Sequence, residues 1–350
     1  MKKSLLALAT LTAFAGVASA QSSVTAFGIV DLAARNVKNG NAGSIKSLSS
    51  SGQATSRLGF RGIEDLGGGL RAGFWLESEL GPDTGAAGST VSGANVFWAR
   101  RATVSLMGGF GEVRMGRDLN VTYTSIGTFD PFGYVGVASL ANVRGGFLGQ
   151  GGATTAVRSS NTISYYLPAM GGLYGGLMVG AGEGSINKYT AVRLGYAAGP
   201  LNMSFATGKT ERAFTMVDDI KTTNLGASFN FGFATLGAAY EKSEYSTLDS
   251  KLATGYLTMP LGQGLLKAQY TKTSGAGFGV LTQQFSAKMF GVGYVYNMSK
   301  RTSLYTNYGS INNDGTATSG AAFTTTGAGP AGMARGQTSP GYEFGIRHDF

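Results

Sequence analysis

Four arginines stand out among the residues of this chain that could act on another molecule. Arg57, Arg61, Arg101 and Arg114 sit in segments where apolar and polar residues alternate, so on an extended chain each shares a face with other polar side chains. A guanidinium keeps its charge without help from its surroundings. A row of them would attract anions, and acids placed opposite would set up a transverse field. Asp118 and Asp130 are the candidates, in a connection over 118–158 whose other charges are Arg144 and Arg158. Little else points to catalysis. His348 is the single imidazole, and any Ser–His hydrolase would depend on it. Gly208-Lys209-Thr210 matches the tail of a P-loop, but Met203 stands where the first glycine must be. Glu241, Glu244 and Asp249 could collect a divalent cation, although a solvated edge accounts for them more simply. Asn120-Val121-Thr122 fits the glycosylation pattern and carries little information. The expectation is a protein that is not an enzyme, with no cofactor and no metal.

Composition narrows the class further. With no Cys among 350 residues, disulfides, thiolate zinc, iron–sulfur clusters and thiol nucleophiles are all excluded. A hydrophobic fraction of 43% is too high for a disordered polyelectrolyte, and 57 Gly without an every-third-residue period excludes collagen. The N-terminus pairs Lys2-Lys3 with an apolar stretch from Leu5 to Val17 and the small-residue site Ala18-Ser19-Ala20. These are the parts of a secretory signal peptide over 1–20, cleaved after Ala20. Removing Lys2 and Lys3 from 28 basic residues leaves 26 against 19 acidic ones, a net +7. No basic tract or RNP-like motif turns that excess into a nucleic-acid site.

The elements that must position the arginines read as strands. Tyr342, Phe344, Ile346, His348 and Phe350 alternate with Gly341, Glu343, Gly345, Arg347 and Asp349, and successive strand side chains point to opposite faces. Leu58 and Phe60 oppose Arg57, Gly59 and Arg61 in the same way, and Val104 and Leu106 oppose Arg101, Thr103 and Ser105. Mature segments lack the eighteen or more apolar residues of a spanning helix. Sixteen segments alternate to the end of the chain, among them 23–36, 55–65, 70–80, 97–107, 112–118, 160–168 and 340–350. Short connections such as Gly67-Gly68-Gly69 and Gly199-Pro200 alternate with polar stretches near 37–53, 81–95, 118–158, 275–285 and 313–339. The spacing predicts an all-β protein: a closed antiparallel transmembrane β-barrel of 16 strands over 21–350, with short periplasmic turns and long extracellular loops. An open edge in lipid would strand unpaired backbone groups, so the sheet must close. A soluble sandwich with its apolar face inside is the alternative that the local pattern leaves open.

Several motifs resemble a known family. Ser23-Val24-Thr25-Ala26-Phe27-Gly28-Ile29-Val30-Asp31 and Ser56-Arg57-Leu58-Gly59-Phe60-Arg61-Gly62 through Gly67 resemble the first strands of Gram-negative general diffusion porins. Arg100-Arg101-Ala102 with Gly111-Glu112-Val113-Arg114 resembles strands four and five, and Asp130-Pro131-Phe132-Gly133 an element of the third loop, without its Glu. Arg158-Ser159-Ser160-Asn161-Thr162 resembles the strand after that loop, and Gly345-Ile346-Arg347-His348-Asp349-Phe350 the final strand of the betaproteobacterial branch. The resemblance implies an outer-membrane homotrimer whose loop 3 folds into each bore, forming a water-filled channel for passive diffusion of small hydrophilic solutes and ions. Membrane lipid, lipopolysaccharide, solutes and anions are the partners it implies, with no nucleic acid.

Parity and height then locate a pore constriction at Arg57, Arg61, Arg101, Arg114, Asp118 and Asp130. Asp31 reads as a generic lumen charge, and Arg100 and Arg117 fall on the outward parity, where a subunit interface or the headgroup zone would hold them. The basic excess predicts mild anion preference. Three rivals are an outer-membrane adhesin or receptor acting through its loops, a barrel lipase dependent on His348, and a substrate-specific porin using Tyr123, Phe129, Tyr134 and Phe147.

Overall fold

The computed structural model describes residues 23–91, 94–144, 155–183, 188–211, 218–276, 284–314, 323–326 and 336–350. The leader expected at 1–20 and Phe147 lie outside these residues. Among the described residues seventeen strands make the wall. They are β1 (Ser23–Lys38), β2 (Ser44–Ser50), β3 (Arg57–Gly67), β4 (Leu70–Gly81), β5 (Arg101–Gly108) and β6 (Gly111–Leu119). After the third long connection follow β7 (Arg158–Tyr166), β8 (Leu173–Gly180), β9 (Lys188–Ala198), β10 (Leu201–Glu211), β11 (Ile220–Asn230) and β12 (Thr235–Tyr245). The wall ends with β13 (Leu248–Leu261), β14 (Gly264–Ala276), β15 (Gln284–Asn297), β16 (Thr302–Asn313) and β17 (Thr338–Asp349).

Except for β2 and β3, which both pair with β1, each strand pairs antiparallel with the next in sequence, and β17 pairs back onto β1 with Asp31 opposite Arg347 and Ala33 opposite Gly345. The sheet therefore closes. β2 and β3 share one position beside β1: Leu32 faces Ser50 in the upper half, and Phe27 faces Gly59 in the lower. The barrel thus has 16 strand positions. The stretch near 37–53, read from sequence as a polar connection, contains β2, because its Ser-rich alternation still supplies ladder donors and acceptors to β1. Between β2 and β3, residues 51–56 leave the wall and turn inward. Among the described residues no helix is long and apolar enough to cross a membrane.

Alternation is inverted relative to a soluble sheet. Leu225, Phe290, Phe344 and Ile346 are exposed, while the intervening Asn224, Met289, Glu343 and Gly345 are buried. Burial on the inside comes chiefly from loop 3, which follows β6. Its helix α1 (Val121–Gly127) lies against β9 to β11: Val121 packs with Met178, Tyr189 and Ala191, and the Ser125 and Ser204 hydroxyls are 2.8 Å apart. Ile126, Phe129, Leu140 and Val143 then fill a cluster with Ala239, Leu252, Ala287, Met289 and Ile311 from β12, β13, β15 and β16. Apolar inward residues on the far wall are there to receive this loop.

Candidate functional site

Two inward glycines let loop 3 lie flat on the wall. A Cβ at Gly309 would stand 2.0 Å from the Val137 carbonyl oxygen, and one at Gly226 2.3 Å from the Phe129 ring. The first obstacle is backbone and cannot rotate away. Gly309→Val is therefore expected to cost about 1–3 kcal/mol by overpacking and to push residues 136–138 toward the open side. Single-channel recordings should show a lower conductance with the barrel intact by circular dichroism.

Polar anchors then set the loop's course. Arg144 donates to both oxygens of Glu241 on β12, Nε–Oε1 at 2.7 Å and Nη2–Oε2 at 2.9 Å, with both side chains buried. Burial disfavours the Arg144 charge, but the Glu241 carboxylate and then Tyr134 more than offset it, so its pKa is held above the usual arginine value. Glu343 of β17 accepts from the Val137 amide at 3.3 Å and from Asn307 Nδ2 at 2.9 Å. The buried Lys267 ammonium of β14 lies 4.6 Å from the centroid of Phe132. The inward turn at 51–56 is held by Asp31, which accepts from the amides of Gly52, Gln53 and Ala54 and from the Tyr305 hydroxyl. This is where Asp31 acts: it is a buried clamp for a turn that abuts Gly136 of loop 3.

Loop 3 leaves the wall of β3 to β7 uncovered, and there the arginines occur at two levels. The upper cavity, about 450 Å³, is lined among others by Arg57, Glu79, Arg100 and Arg158 on the wall and by Tyr123, Tyr134, Val135 and the Glu241-bound Arg144 on the loop. Arg100 Nε donates to Glu77 at 2.6 Å, and Arg57 Nη1 is 3.5 Å from the same oxygen. Arg158 Nε donates to the Arg100 carbonyl at 2.8 Å and has no ion pair among the described residues. The lower cavity, about 390 Å³, is lined by Arg61, Arg101, Arg114, Trp75 and Glu112 among others. Here too three arginines stand against two acids. Arg114 pairs with Glu112 at 2.9 Å and Asp118 at 2.6 Å, and Arg101 lies 3.5 Å from Asp118. Arg61 rests against the Phe27 and Trp75 rings, 5.2 Å from each centroid.

The residues read from sequence are thus separated. Arg61, Arg101, Arg114 and Asp118 come together in the lower cavity, whereas Arg57 belongs to the upper one. Asp118 is on the wall in β6 and not on the loop facing it. Asp130 meets none of the arginines. Its carboxylate accepts from the amides of Phe132, Tyr134 and Leu140, a loop-internal knot, and burial pushes its pKa above the usual aspartate value against those donors. Arg100 corrects the outward assignment: 97–100 is not strand, so the parity of β5 does not extend to it, and its side chain turns inward onto Glu77. Arg117 fixes that segment from outside by donating to the Ala99 carbonyl at 2.7 Å. Arg158, read as a loop residue, opens β7. The signal for both was the family resemblance, in which Arg158 heads the strand after loop 3 and Arg100 stands just before Arg101. Glu241 points inward to Arg144, while Glu244 and Asp249 pair outside with Lys242 and Lys251. They share no cation site. Tyr123, Phe129 and Tyr134 belong to the loop's packing, the first and last with ring centroids 4.6 Å apart.

A closed antiparallel barrel of this size, apolar outside and charged within, with a loop against one inner wall, defines a transmembrane channel protein. Residues 7–316 match the Gram-negative porin family. The chain is 38% identical to outer membrane porin protein 32 of Delftia acidovorans over the full length of both, and 29% identical to an outer membrane porin protein of Bordetella pertussis over 89% of this chain and 94% of that one. Its fold is similar to that of an anion-selective porin from Comamonas acidovorans, with a TM-score of 0.82 and 36% identity over 94% of this chain and all of the other. An OmpF structure from Salmonella typhi, at 14% identity and a TM-score of 0.69 over 93% of this chain and 97% of that one, shares the fold. The chain belongs to the Gram-negative porin family and is an outer-membrane porin.

Proposed function

We propose that this porin passes small hydrophilic solutes with a preference for anions, and that the selecting level is the upper cavity. The observation that carries this is that loop 3 faces this level: Arg57, Arg100 and Arg158 look across to Tyr123, Tyr134 and Val135, the loop's own Arg144 is tied to Glu241, and Glu77 and Glu79 are the nearby acids. The field is one-sided. Arginines in a pore favour anions; the lower cavity has the same three arginines to two acids, but no described loop 3 residue lines it, so its arginines act across a wider bore. The similarity to an anion-selective porin supports the same reading. The mature chain begins after Ala20 and assembles as a homotrimer in the outer membrane; the N-terminal residue pattern and the porin relatives support these two points.

Reversal potentials in a salt gradient test the reading. The wild type should be anion-preferring, and Arg57→Ala should reduce that preference more than Arg101→Ala, because Arg57 lines the level that loop 3 faces and Arg101 does not. Cation preference in the wild type at neutral pH would refute it.

A further inference from the structure

The inner wall treats its apolar side chains in two ways. On the far wall they are buried under loop 3, but in the lower cavity no described loop 3 residue covers them. Phe27, Ile63, Trp75 and Met107 share the inward parity of Arg61. In the ladder Phe27 is opposite Gly59, Trp75 opposite Arg61, Ile63 opposite Gly73 and Met107 opposite Arg71. Ile63 is 46% exposed, and the other three are half-buried. Apolar surface left open beside polar groups marks an interaction site, and inside a bore the visitor is a solute.

Two inward glycines keep the floor of this patch low. A Cβ at Gly59 would stand 2.3 Å from the Phe27 ring, and one at Gly73 2.9 Å from the Met107 methyl, so ring and thioether lie across the strands. Phe27 meets Trp75 edge-on, with centroids 5.1 Å apart. Above them Arg61 lies 5.2 Å from both ring centroids and Arg101 4.5 Å from that of Trp75. Arg101 and Arg114 take up Asp118 and Glu112. Arg61 is different: it is exposed and makes no hydrogen bond or ion pair among the described residues. The rings hold one unmatched guanidinium beside an apolar floor.

We propose that the lower cavity is a binding subsite for aromatic monocarboxylates, one-ring acids of the benzoate type, with the carboxylate on Arg61 and the ring against Ile63, Met107 and Trp75. The proposal rests on the channel reading, because the solute reaches this level only through the bore. One free guanidinium suits one carboxylate, which its fork can bind through two parallel hydrogen bonds. A second carboxylate would find the other arginines already engaged by Glu112 and Asp118. Thioether sulfur and guanidinium planes both favour a flat π face over a saturated ring. The cavity, about 390 Å³, is at the small end of the range for organic ligands.

The test uses the full mature porin in planar bilayers, with single-channel current in potassium chloride followed as benzoate, cyclohexanecarboxylate or acetate is added. All three acids carry one negative charge, so their ratios are independent of the channel's ion preference. Benzoate should interrupt the current at about one-tenth of the acetate concentration, from burial of its ring, and at about one-third of the cyclohexanecarboxylate concentration, from the contacts specific to a π face. Arg61→Gln should raise the benzoate concentration required about fivefold. Ile63→Ser/Met107→Ser should bring benzoate to within about twofold of acetate by removing the apolar floor. Arg57→Gln, in the upper cavity, should shift benzoate and acetate together and leave their ratio as it was. Equal blocking by benzoate and either reference acid, an unchanged benzoate response in Arg61→Gln, or a wild-type ratio in the double serine variant would overturn the subsite. Cation preference in a wild type that keeps the benzoate ratio would count against the selectivity reading and leave the subsite standing.

Discussion

Replacing Arg57, Arg100 and Arg158 together by alanine is expected to turn an anion-preferring channel into a cation-preferring one. A guanidinium ~7 Å from a permeating ion contributes about 0.6 kcal/mol even in bulk-like water, close to threefold in that ion's occupancy. Three such losses compound, and Glu77 and Glu79 stay behind to set the opposite sign. Arg158→Gln is the cleanest single step, because Arg158 has no carboxylate partner among the described residues and its removal strands no buried acid. Arg100→Ala is less clean, since Glu77 is buried and loses its 2.6 Å partner. The check is the reversal potential at about 0.1 M salt, where the Debye length is about 10 Å. Raising salt should shrink the difference between wild type and triple variant. A triple variant that keeps wild-type anion preference would show that selection occurs elsewhere along the bore.

The second large effect is expected at the anchor of loop 3. Arg144 and Glu241 form a two-pronged pair with both side chains buried, 97 residues apart in sequence. Removing one member of such a pair leaves an uncompensated charge and costs about 3–5 kcal/mol. Arg144→Met should therefore lower the thermal midpoint and release the loop from β12, seen as flickering, irregular single-channel currents. The double variant Arg144→Met/Glu241→Met removes both charges and should recover much of the stability, because apolar replacements of buried pairs are often tolerated. Steady wild-type currents from Arg144→Met would mean that the Phe129 cluster and the remaining polar anchors, such as Glu343 to the Val137 amide, hold the loop without it.

Much of this architecture follows from the order of residues. The two-residue period of Tyr342 to Phe350 or of Arg57 to Arg61 fixes which side chains share a face, since strand geometry is local. The even number of segments and the alternation of short and long connections imply closure for the same reason. Inward placement of Arg57, Arg61, Arg101 and Arg114 came from parity alone. Which arginines meet which acids did not. Arg100 escapes the parity rule because the chain at 97–100 leaves the ladder, and Asp31 becomes a clamp only because closure brings Tyr305, 274 residues away, beside the inward turn at 51–56. Asp130 and Asp118 look alike as acids near one loop, yet one is tied by its own loop's amides and the other by wall arginines. Periodicity is written residue by residue. The balance of charge in the bore depends on where a long loop comes to rest, and that is settled by packing against strands far along the chain.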